Sequence, residues 1–279
     1  MAWELDIPKI LHVYWGGGPL YYLRYMTVKT FMKHNPDWEI RLYYPKFPNK
    51  NITWRTGENV HPTLCKDFTE ELKGLPITTI PVDFSEYGFG NDIPEVHKSD
   101  FIRLQQLGTV GGVWADMDIF FFKSMDEFYL NTPENKDIKT FYCNHKYGHS
   151  IGFLMSSENN QFFKHLTQYS KTHYHPGNYQ AIGVLIWNHY FSSYEAINTI
   201  TPAMNFGMDV VYAHDVEFLD EILKPVEPRF TEKSIGLHWY GGAPMWTKFA
   251  NETNGGMENL PDTIIGNLLK TTFEWKPNL

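Results

Sequence analysis

The sequence of 279 residues has few cysteines and no long apolar run. Its two cysteines, Cys65 and Cys143, are far apart and form no Cys-x-x-Cys pair. This excludes a disulfide framework and a thiolate zinc site, and it favours a reducing compartment. No segment approaches 18 consecutive apolar residues, and the first residues lack the basic start and apolar core of a signal peptide. We therefore expect a soluble, cytoplasmic protein with no membrane anchor.

Positive charge is also scarce. Lys and Arg number 24 against 32 Asp and Glu, the formal net charge is -8, and no basic block occurs. Because binding to a phosphate backbone depends on clustered positive charge, we do not expect a nucleic-acid partner. Internal repeats, low-complexity tracts and linker-like breaks in composition are absent too. With 42% hydrophobic residues the chain can bury a large core, so we predict a single α/β domain.

The first 44 residues have the pattern of a β-α-β unit. Residues 7–15 (IPKILHVYW) are apolar and β-prone, residues 20–34 have an apolar helical face, and residues 39–44 form a second apolar run. Such units build parallel sheets, which bind ligands beyond the carboxyl ends of their strands. The loop after Trp15 is therefore predicted to border a ligand site.

Further helices and strands are predicted along the rest of the chain. The helices are expected near residues 64–72, 95–107, 160–171 and 179–191, and the strands near 77–82, 140–143, 151–155, 210–212 and 235–240. Asp92, Pro94 and Glu95 have the pattern of a helix start, with Asp92 as the capping residue. Residues 251–279 are polar and irregular, and we expect them to form a lid or a loose tail.

The most informative segment is residues 98–122, where a predicted helix and a glycine turn lead into a strand that carries Asp116 and Asp118. Two carboxylates two residues apart on extended backbone project to one side and can hold a divalent cation against a phosphate. By composition, roughly 0.7 such pairs arise by chance. The apolar flanks support the prediction, because buried carboxylates are costly unless they are neutralised. The alternative is an exposed turn with two solvated acids.

Four motifs in order resemble the DXD-containing retaining glycosyltransferases of family 32, which include α-1,6-mannosyltransferases, α-1,4-galactosyltransferases and capsular-polysaccharide transferases. The motifs are residues 7–15, residues 34–39, residues 98–100 with Arg103, and residues 111–118. The resemblance covers residues 7–122 well and residues 123–279 thinly. It implies a GT-A fold, a single domain with a Rossmann-like mixed sheet flanked by helices. The nucleotide-sugar-binding half would be about 1–122, the acceptor-side half about 123–250 and the tail 251–279.

The resemblance also implies a donor-binding set. Val13, Tyr14 and Trp15 would border the base and ribose, and Asp100 and Arg103 would reach the donor sugar and phosphate. From their spacing alone, the alternative for Asp100 and Arg103 is an ordinary surface ion pair of small energetic value on the predicted helix.

A metal set follows from the same resemblance. Asp116 would contact the ribose and the surroundings of the ion, Asp118 would ligate the ion, and His238 on a late strand would complete its shell. Asp116 and Asp118 would thereby be the catalytic residues. The family commonly has Gly-Ser-Trp after this histidine, whereas this chain has residues 241–246 (GGAPMW).

The sequence thus predicts a metal-dependent retaining glycosyltransferase. It would use Mn²⁺ or Mg²⁺ to move a hexose from a UDP- or GDP-sugar donor to a glycan or other hydroxyl acceptor. Two alternatives remain open: a non-catalytic nucleotide-sugar- or carbohydrate-binding module of the same fold, and a Mg²⁺-dependent phosphohydrolase, which would place its Asp-x-Asp after the first strand. The acceptor, the linkage, the oligomeric state and the choice between same-face attack and a covalent intermediate are open as well.

Overall fold

The computed structural model describes residues 2–16, 18–49, 66–145, 148–190, 194–246 and 262–273. Within these residues lie the strands β1 Ile10–Tyr14, β2 Glu39–Pro45, β3 Thr78–Val82, β4 Gly112–Ala115, β5 Ile119–Phe121, β6 Thr140–His145, β7 Gly148–Ser156, β8 Ala203–Asn205 and β9 Gly236–His238. The α-helices are α1 Tyr22–His34, α2 Thr69–Lys73, α3 Glu95–Thr109, α4 Gln161–Thr172, α5 Val184–Tyr190, α6 Tyr194–Asn198 and α7 Ile264–Thr272.

Seven strands form one mixed sheet in the order β3-β2-β1-β4-β7-β6-β8. Strand β1 pairs in parallel with β2 and β4, whereas β7 is antiparallel to β4 and β6. The chain proceeds outward from β1 to β3 and then returns to the other side of β1, so the strand order reverses between β1 and β4. A crevice forms at the carboxyl ends of the strands at such a reversal. The predicted mixed α/β sheet flanked by helices is confirmed.

The two faces of the sheet are covered by different helices because successive strand residues point to opposite faces. Val113 of β4 lies in a core shared with α1 and α7, whereas Trp114 lies in a core shared with α3, α4 and α5. The apolar face expected for the first helix is confirmed, since Leu23 and Phe31 of α1 are buried. None of the helices in the described residues combines the length and the hydrophobicity that a membrane crossing requires.

A tight glycine turn joins α3 to β4. Gly111 and Gly112 both have positive φ, at 71° and 107°. A Cβ on Gly111 would lie 2.5 Å from the backbone of Ser157, and one on Gly112 would lie 2.7 Å from the carbonyl oxygen of Ile10. Only glycine suits these positions, so the turn fixes how α3 presents its side chains to the end of β4.

The chain changes sheets after β4. Ala115 still pairs with Phe153 in the large sheet, whereas Ile119 pairs with His238 in a separate two-stranded sheet of β5 and β9. Residues 116–118 form the turn between them. The prediction that Asp116 and Asp118 lie on one continuous strand was therefore wrong, because consecutive strands with different partners require a turn at this point.

Several other local predictions need correction. Helix α3 begins at Glu95 after Pro94 and has no side-chain cap, so Asp92 is not its capping residue. Residues 210–212 are not a strand, because Met208–Val210 is a 3₁₀ helix followed by irregular chain. The strand β8, just before it, was missed.

The tail expected to be irregular contains α7. Thr263 caps this helix by accepting a hydrogen bond from the Gly266 N–H, and Ile264, Ile265 and Leu269 pack into the core. Residues 251–261 and 274–279 lie outside the described residues, as do Cys65, Gly17 and the beginning of the helix expected at 64–72. The end of the helix expected at 179–191 lies outside them as well, at residue 191.

Candidate metal and donor site

Asp116 lies where β4 leaves the large sheet. Its backbone N–H donates to the Gly152 carbonyl oxygen at 2.8 Å, which extends the pairing of β4 with β7 by one residue. Its Oδ1 accepts hydrogen bonds from Arg103 Nη2 at 2.7 Å and from Trp114 Nε1 at 2.8 Å. Burial raises the pKa of the Asp116 carboxyl, the positive charge of Arg103 lowers it, and the negative charge of Asp118 raises it. Both donors bind Oδ1, so Oδ2 is the oxygen best placed for a ligand.

Asp118 is only 6% exposed. Its Oδ2 accepts a hydrogen bond from the Gly241 N–H at 2.7 Å, and its carbonyl oxygen accepts one from the Trp239 N–H at 2.9 Å. Its Oδ1 lies 3.2 Å from His238 Nε2. Burial alone would raise the pKa of this carboxyl, but His238, Arg24 and the Gly241 N–H together hold it below its usual range. Asp118 is therefore an ionised carboxylate at neutral pH.

His238 reaches the same place from β9. Its backbone N–H donates to the Val211 carbonyl oxygen at 2.6 Å, and its register opposite Ile119 turns the imidazole toward the 116–118 turn. The ring lies between two tyrosines, with centroid distances of 5.2 Å to Tyr212 and 4.2 Å to Tyr240. Tyr240 has a positive φ of 49°, an uncommon conformation for a bulky residue, which marks a constrained turn directly after the histidine.

Together, Asp116, Asp118 and His238 can offer one ligand atom each, and these atoms lie within 4.8 Å of one another. Two observations fit a divalent cation among them. Asp118 Oδ1 is buried and, apart from the His238 ring that faces it at 3.2 Å, has no hydrogen-bond donor among the described residues. A Cβ on Gly152 would lie 3.1 Å from His238 Nε2 and 3.2 Å from Asp116 Oδ2, so this glycine keeps space free between two of the ligands. Carboxylate oxygens suit hard divalent cations such as Mn²⁺ and Mg²⁺, and the imidazole can supply a third ligand atom.

Asp100 and Arg103 border this site from α3, at 4% and 3% exposure. Arg103 Nη2 lies 3.2 Å from Asp100 Oδ1 as well as 2.7 Å from Asp116 Oδ1, and the guanidinium lies 5.0 Å from the centroid of the Trp114 ring. Arg103 Nε and Nη1 are buried without a hydrogen-bond partner in the part of the chain that the structure describes. The alternative of an exposed ion pair is wrong, because the pair is buried beside Asp116.

Val13, Tyr14 and Trp15 lie at the carboxyl end of β1. The Val13 side chain is fully buried in the core, and the buried Tyr14 hydroxyl donates to Glu95 Oε2 at 2.5 Å. Trp15 is half-buried, and its Nε1 donates to the Gly18 carbonyl oxygen at 2.7 Å. Trp15 is therefore the residue of the three whose side chain is partly exposed.

Three residues near the ligands were not identified from the sequence: Arg24, Gly152 and Gly241. A lone glycine within the apolar run of residues 151–155 is a signal that could have indicated Gly152, since glycine within a strand often marks a close approach. Arg24 precedes Val28 by four residues and so shares the buried face of α1, where an arginine is unusual.

Two family models match the chain. Residues 24–136 match the glycosyltransferase sugar-binding region containing the DXD motif, and residues 83–208 match the capsular polysaccharide synthesis protein family. Both segments include Asp100, Arg103, Asp116 and Asp118, whereas His238 lies outside both. No curated protein sequence matches the chain. The resemblance to DXD-containing glycosyltransferases is confirmed by these matches.

Solved glycosyltransferase structures are also similar to this chain. The PaToxG glycosyltransferase is 16% identical with a TM-score of 0.46, covering 69% of this chain and 73% of its own. The galactosyltransferase LgtC with donor and acceptor sugar analogues is 13% identical with a TM-score of 0.44, covering 86% and 95%. The ligand-free glycosyltransferase domain from the YGT toxin is 15% identical with a TM-score of 0.40, covering 60% of this chain and 62% of its own, less than two thirds of that domain.

Proposed function

We propose that this protein is a metal-dependent retaining glycosyltransferase of GT-A type that moves a hexose from a UDP- or GDP-sugar to a glycan or other hydroxyl acceptor. The observation that carries the proposal is the convergence of Asp116, Asp118 and His238 at the sheet's strand-order reversal, with Gly152 leaving space among them. These three residues would hold a divalent ion, which would offset the charge of a donor diphosphate. The match of residues 24–136 to a DXD sugar-binding region supports the same conclusion.

Each polar residue of the site would have a defined task. Asp116 Oδ2, Asp118 Oδ1 and His238 Nε2 would hold Mn²⁺ or Mg²⁺. When bound, such an ion supplies Lewis-acid stabilisation for the negative charge that grows on the departing diphosphate. The buried Arg103 would donate from Nε or Nη1 to a phosphate or sugar oxygen, and Asp100, fixed by its ion pair with Arg103, would orient the donor sugar.

Donor positioning would come largely from pre-existing contacts. Arg103 is held by two carboxylates, and its guanidinium stacks on the buried Trp114, so it needs little reorganisation when a donor binds. The acceptor hydroxyl would then attack the anomeric carbon. Attack from the leaving-group face, with the departing phosphate taking the proton, and a covalent glycosyl intermediate both retain the anomeric configuration.

Calorimetry tests the metal bridge. Wild-type protein and Asp118→Ala are titrated with UDP-sugars and GDP-sugars in the presence and absence of Mn²⁺. We expect wild type to bind one nucleotide-sugar class only with Mn²⁺ present, and Asp118→Ala to bind it at least about tenfold more weakly, equivalent to about 1.4 kcal/mol. The exposed Asp137→Ala is the matched control and should bind as wild type does. Nucleotide-sugar binding that survives removal of both ion and carboxylate would contradict the proposal.

Turnover separates the proposal from its alternatives. With the donor that binds, slow hydrolysis is followed by NMR, and we expect release of nucleoside diphosphate and free sugar in the donor's own anomeric configuration. Tight donor binding without any turnover, even with a panel of sugar acceptors, would instead indicate a binding module. Release of inorganic phosphate as the first product would indicate a phosphohydrolase.

A further inference from the structure

Arg24 places a buried positive charge beside the proposed ion site. Arg24 is 3% exposed and lies on the buried face of α1. The guanidinium carbon lies 5.0 Å from the Trp15 ring centroid, 5.4 Å from that of Tyr21 and 5.5 Å from that of Trp239. Three aromatic faces therefore enclose the cation, and they come from the end of β1, the start of α1 and the end of β9.

The cage holds Arg24 directly against the turn that binds Asp118. A Cβ on Gly241 would lie 2.6 Å from Arg24 Nη2, so the guanidinium occupies the space that a side chain at this position would need. The N–H of the same Gly241 donates to Asp118 Oδ2 at 2.7 Å. Arg24 and Asp118 are thus both adjacent to Gly241, the guanidinium on its Cα side and the carboxylate at its N–H.

The balance of charges at the site indicates what a cation at this position would do. Asp100, Asp116 and Asp118 bring three carboxylates together, and Arg103 offsets only one of them. A divalent ion would offset the other two. A diphosphate with two or more negative charges would then enter a site without surplus positive charge, and in a poorly hydrated environment such an imbalance opposes binding. A second fixed positive charge reduces this unfavourable electrostatic energy.

We propose that Arg24 is a further donor-binding residue that acts through space: its caged guanidinium supplies the permanent positive charge that lets the Asp116–Asp118–His238 site accept a nucleoside diphosphate together with the divalent ion. This rests on the proposed function. The aromatic cage keeps the charge fixed and poorly screened, so it acts without direct contact with the phosphates. Trp15 would have two roles, because it encloses Arg24 and is also the predicted neighbour of the donor base and ribose.

The proposal predicts that loss of the Arg24 charge weakens the binding of the nucleotide but not the binding of Mn²⁺. In Arg24→Met the positive charge is lost while much of the side-chain volume remains. Mn²⁺ alone should bind as tightly as to wild type or more tightly, because a repulsive cation is gone. UDP or GDP, whichever wild type binds at saturating Mn²⁺, should bind about tenfold more weakly. Arg24→Lys retains the charge and should bind both ligands within about threefold of wild type.

Calorimetry with Mn²⁺ alone, and with UDP and GDP at saturating Mn²⁺, measures these effects. Arg41→Met is the matched control, since it removes one positive charge from a surface ion pair with Glu39 and should change neither affinity. If Arg24→Met does not fold, as judged by near-UV circular dichroism, Arg24→Gln carries the same expectations.

The outcomes separate this inference from the proposed function. A parallel loss of Mn²⁺ and nucleotide affinity in the uncharged variants would mean that Arg24 only packs the turn, and would overturn the inference. Unchanged nucleotide affinity in those variants would overturn it as well. If wild type binds neither UDP nor GDP with Mn²⁺, the proposed function itself fails, and the inference fails with it.

Discussion

At the scale of single residues, the proposed ion site depends on the missing side chain of Gly152 as much as on its ligands. Gly152→Ala would place a methyl group 3.1 Å from His238 Nε2 and 3.2 Å from Asp116 Oδ2, closer than such atoms normally approach. We expect the affinity for Mn²⁺ to fall roughly tenfold, about 1.4 kcal/mol, although no ligand is removed. Titration of Mn²⁺ followed by electron paramagnetic resonance measures this affinity.

Gly177→Ala is the matched control for this prediction. Gly177 is exposed, and a Cβ there would meet nothing within 4 Å, so Mn²⁺ affinity should equal that of wild type. The free energy of unfolding of Gly152→Ala should stay close to that of wild type, because alanine restricts the unfolded chain and offsets part of the crowding. Wild-type Mn²⁺ affinity in Gly152→Ala would show that the ion does not occupy the space between His238 and Asp116.

At the scale of secondary-structure elements, His12 ties three of them together beneath the site. From β1, its Nε2–H donates to the Gly111 carbonyl oxygen at 2.7 Å in the turn before β4, and its Nδ1 lies 3.0 Å from the Tyr43 hydroxyl of β2, which also donates to Gln106 Oε1 at 3.2 Å. Burial lowers the pKa of His12 to about 4, from an ordinary value of 6.5.

The pH dependence of stability follows from this lowered pKa. Below pH 6.5 His12 becomes protonated in the unfolded chain but stays neutral in the folded protein. Its contribution to the free energy of unfolding is therefore complete above pH 6.5 and is lost as the pH falls toward 4. Between pH 7 and pH 5 the loss attributable to His12 is about 2 kcal/mol. In His12→Gln the decline in the free energy of unfolding over this range should be smaller by that amount, as measured by urea denaturation.

The exposed His165→Gln is the histidine control and should retain the wild-type decline. An equally steep decline in His12→Gln would mean that other groups cause the loss of stability at low pH. His97 and His214 also have lowered pKa values because of burial, so they add to the total decline but not to the difference between wild type and His12→Gln.

How far the sequence predicts these elements depends on where their partners lie. The β-α-β opening was predictable because its strands and helix are neighbours in sequence and each follows its own periodicity. The turn at residues 116–118 was not, since it exists because β5 pairs with β9, whose residues 236–238 lie far along the chain. A periodic pattern records burial but not the identity of the pairing strand.

The residues of the candidate site likewise differ in whether the local sequence could identify them. Asp116 and Asp118 were identified by local context, and His238 only by resemblance, because nothing in its spacing ties it to the acids. Arg24 was missed, since an arginine on a helix is normally solvated and its aromatic cage is assembled from separate parts of the chain.

At the scale of the whole molecule, the proposed ion would join the two sheets. Asp116 is tied to the large sheet through the Gly152 carbonyl oxygen, whereas His238 belongs to the small sheet of β5 and β9. Asp118 already links to Gly241, 123 residues farther along the chain. Loss of either sheet would separate the ligands, so the ion should bind the folded state far better than the unfolded state. Metal binding and global stability are therefore expected to be coupled.

This coupling predicts a thermal shift. At a free Mn²⁺ concentration about 100 times the dissociation constant, the folded state gains about 2.7 kcal/mol, which corresponds to a rise in Tm of about 5–10 °C for a domain of this size. Differential scanning calorimetry should show this rise in wild type and in Asp137→Asn, and excess EDTA should abolish it. Asp118→Asn should show no rise, because the neutral amide is a poor ligand for a hard cation. A full shift in Asp118→Asn would place the stabilising ion elsewhere and leave the two sheets without a metal link.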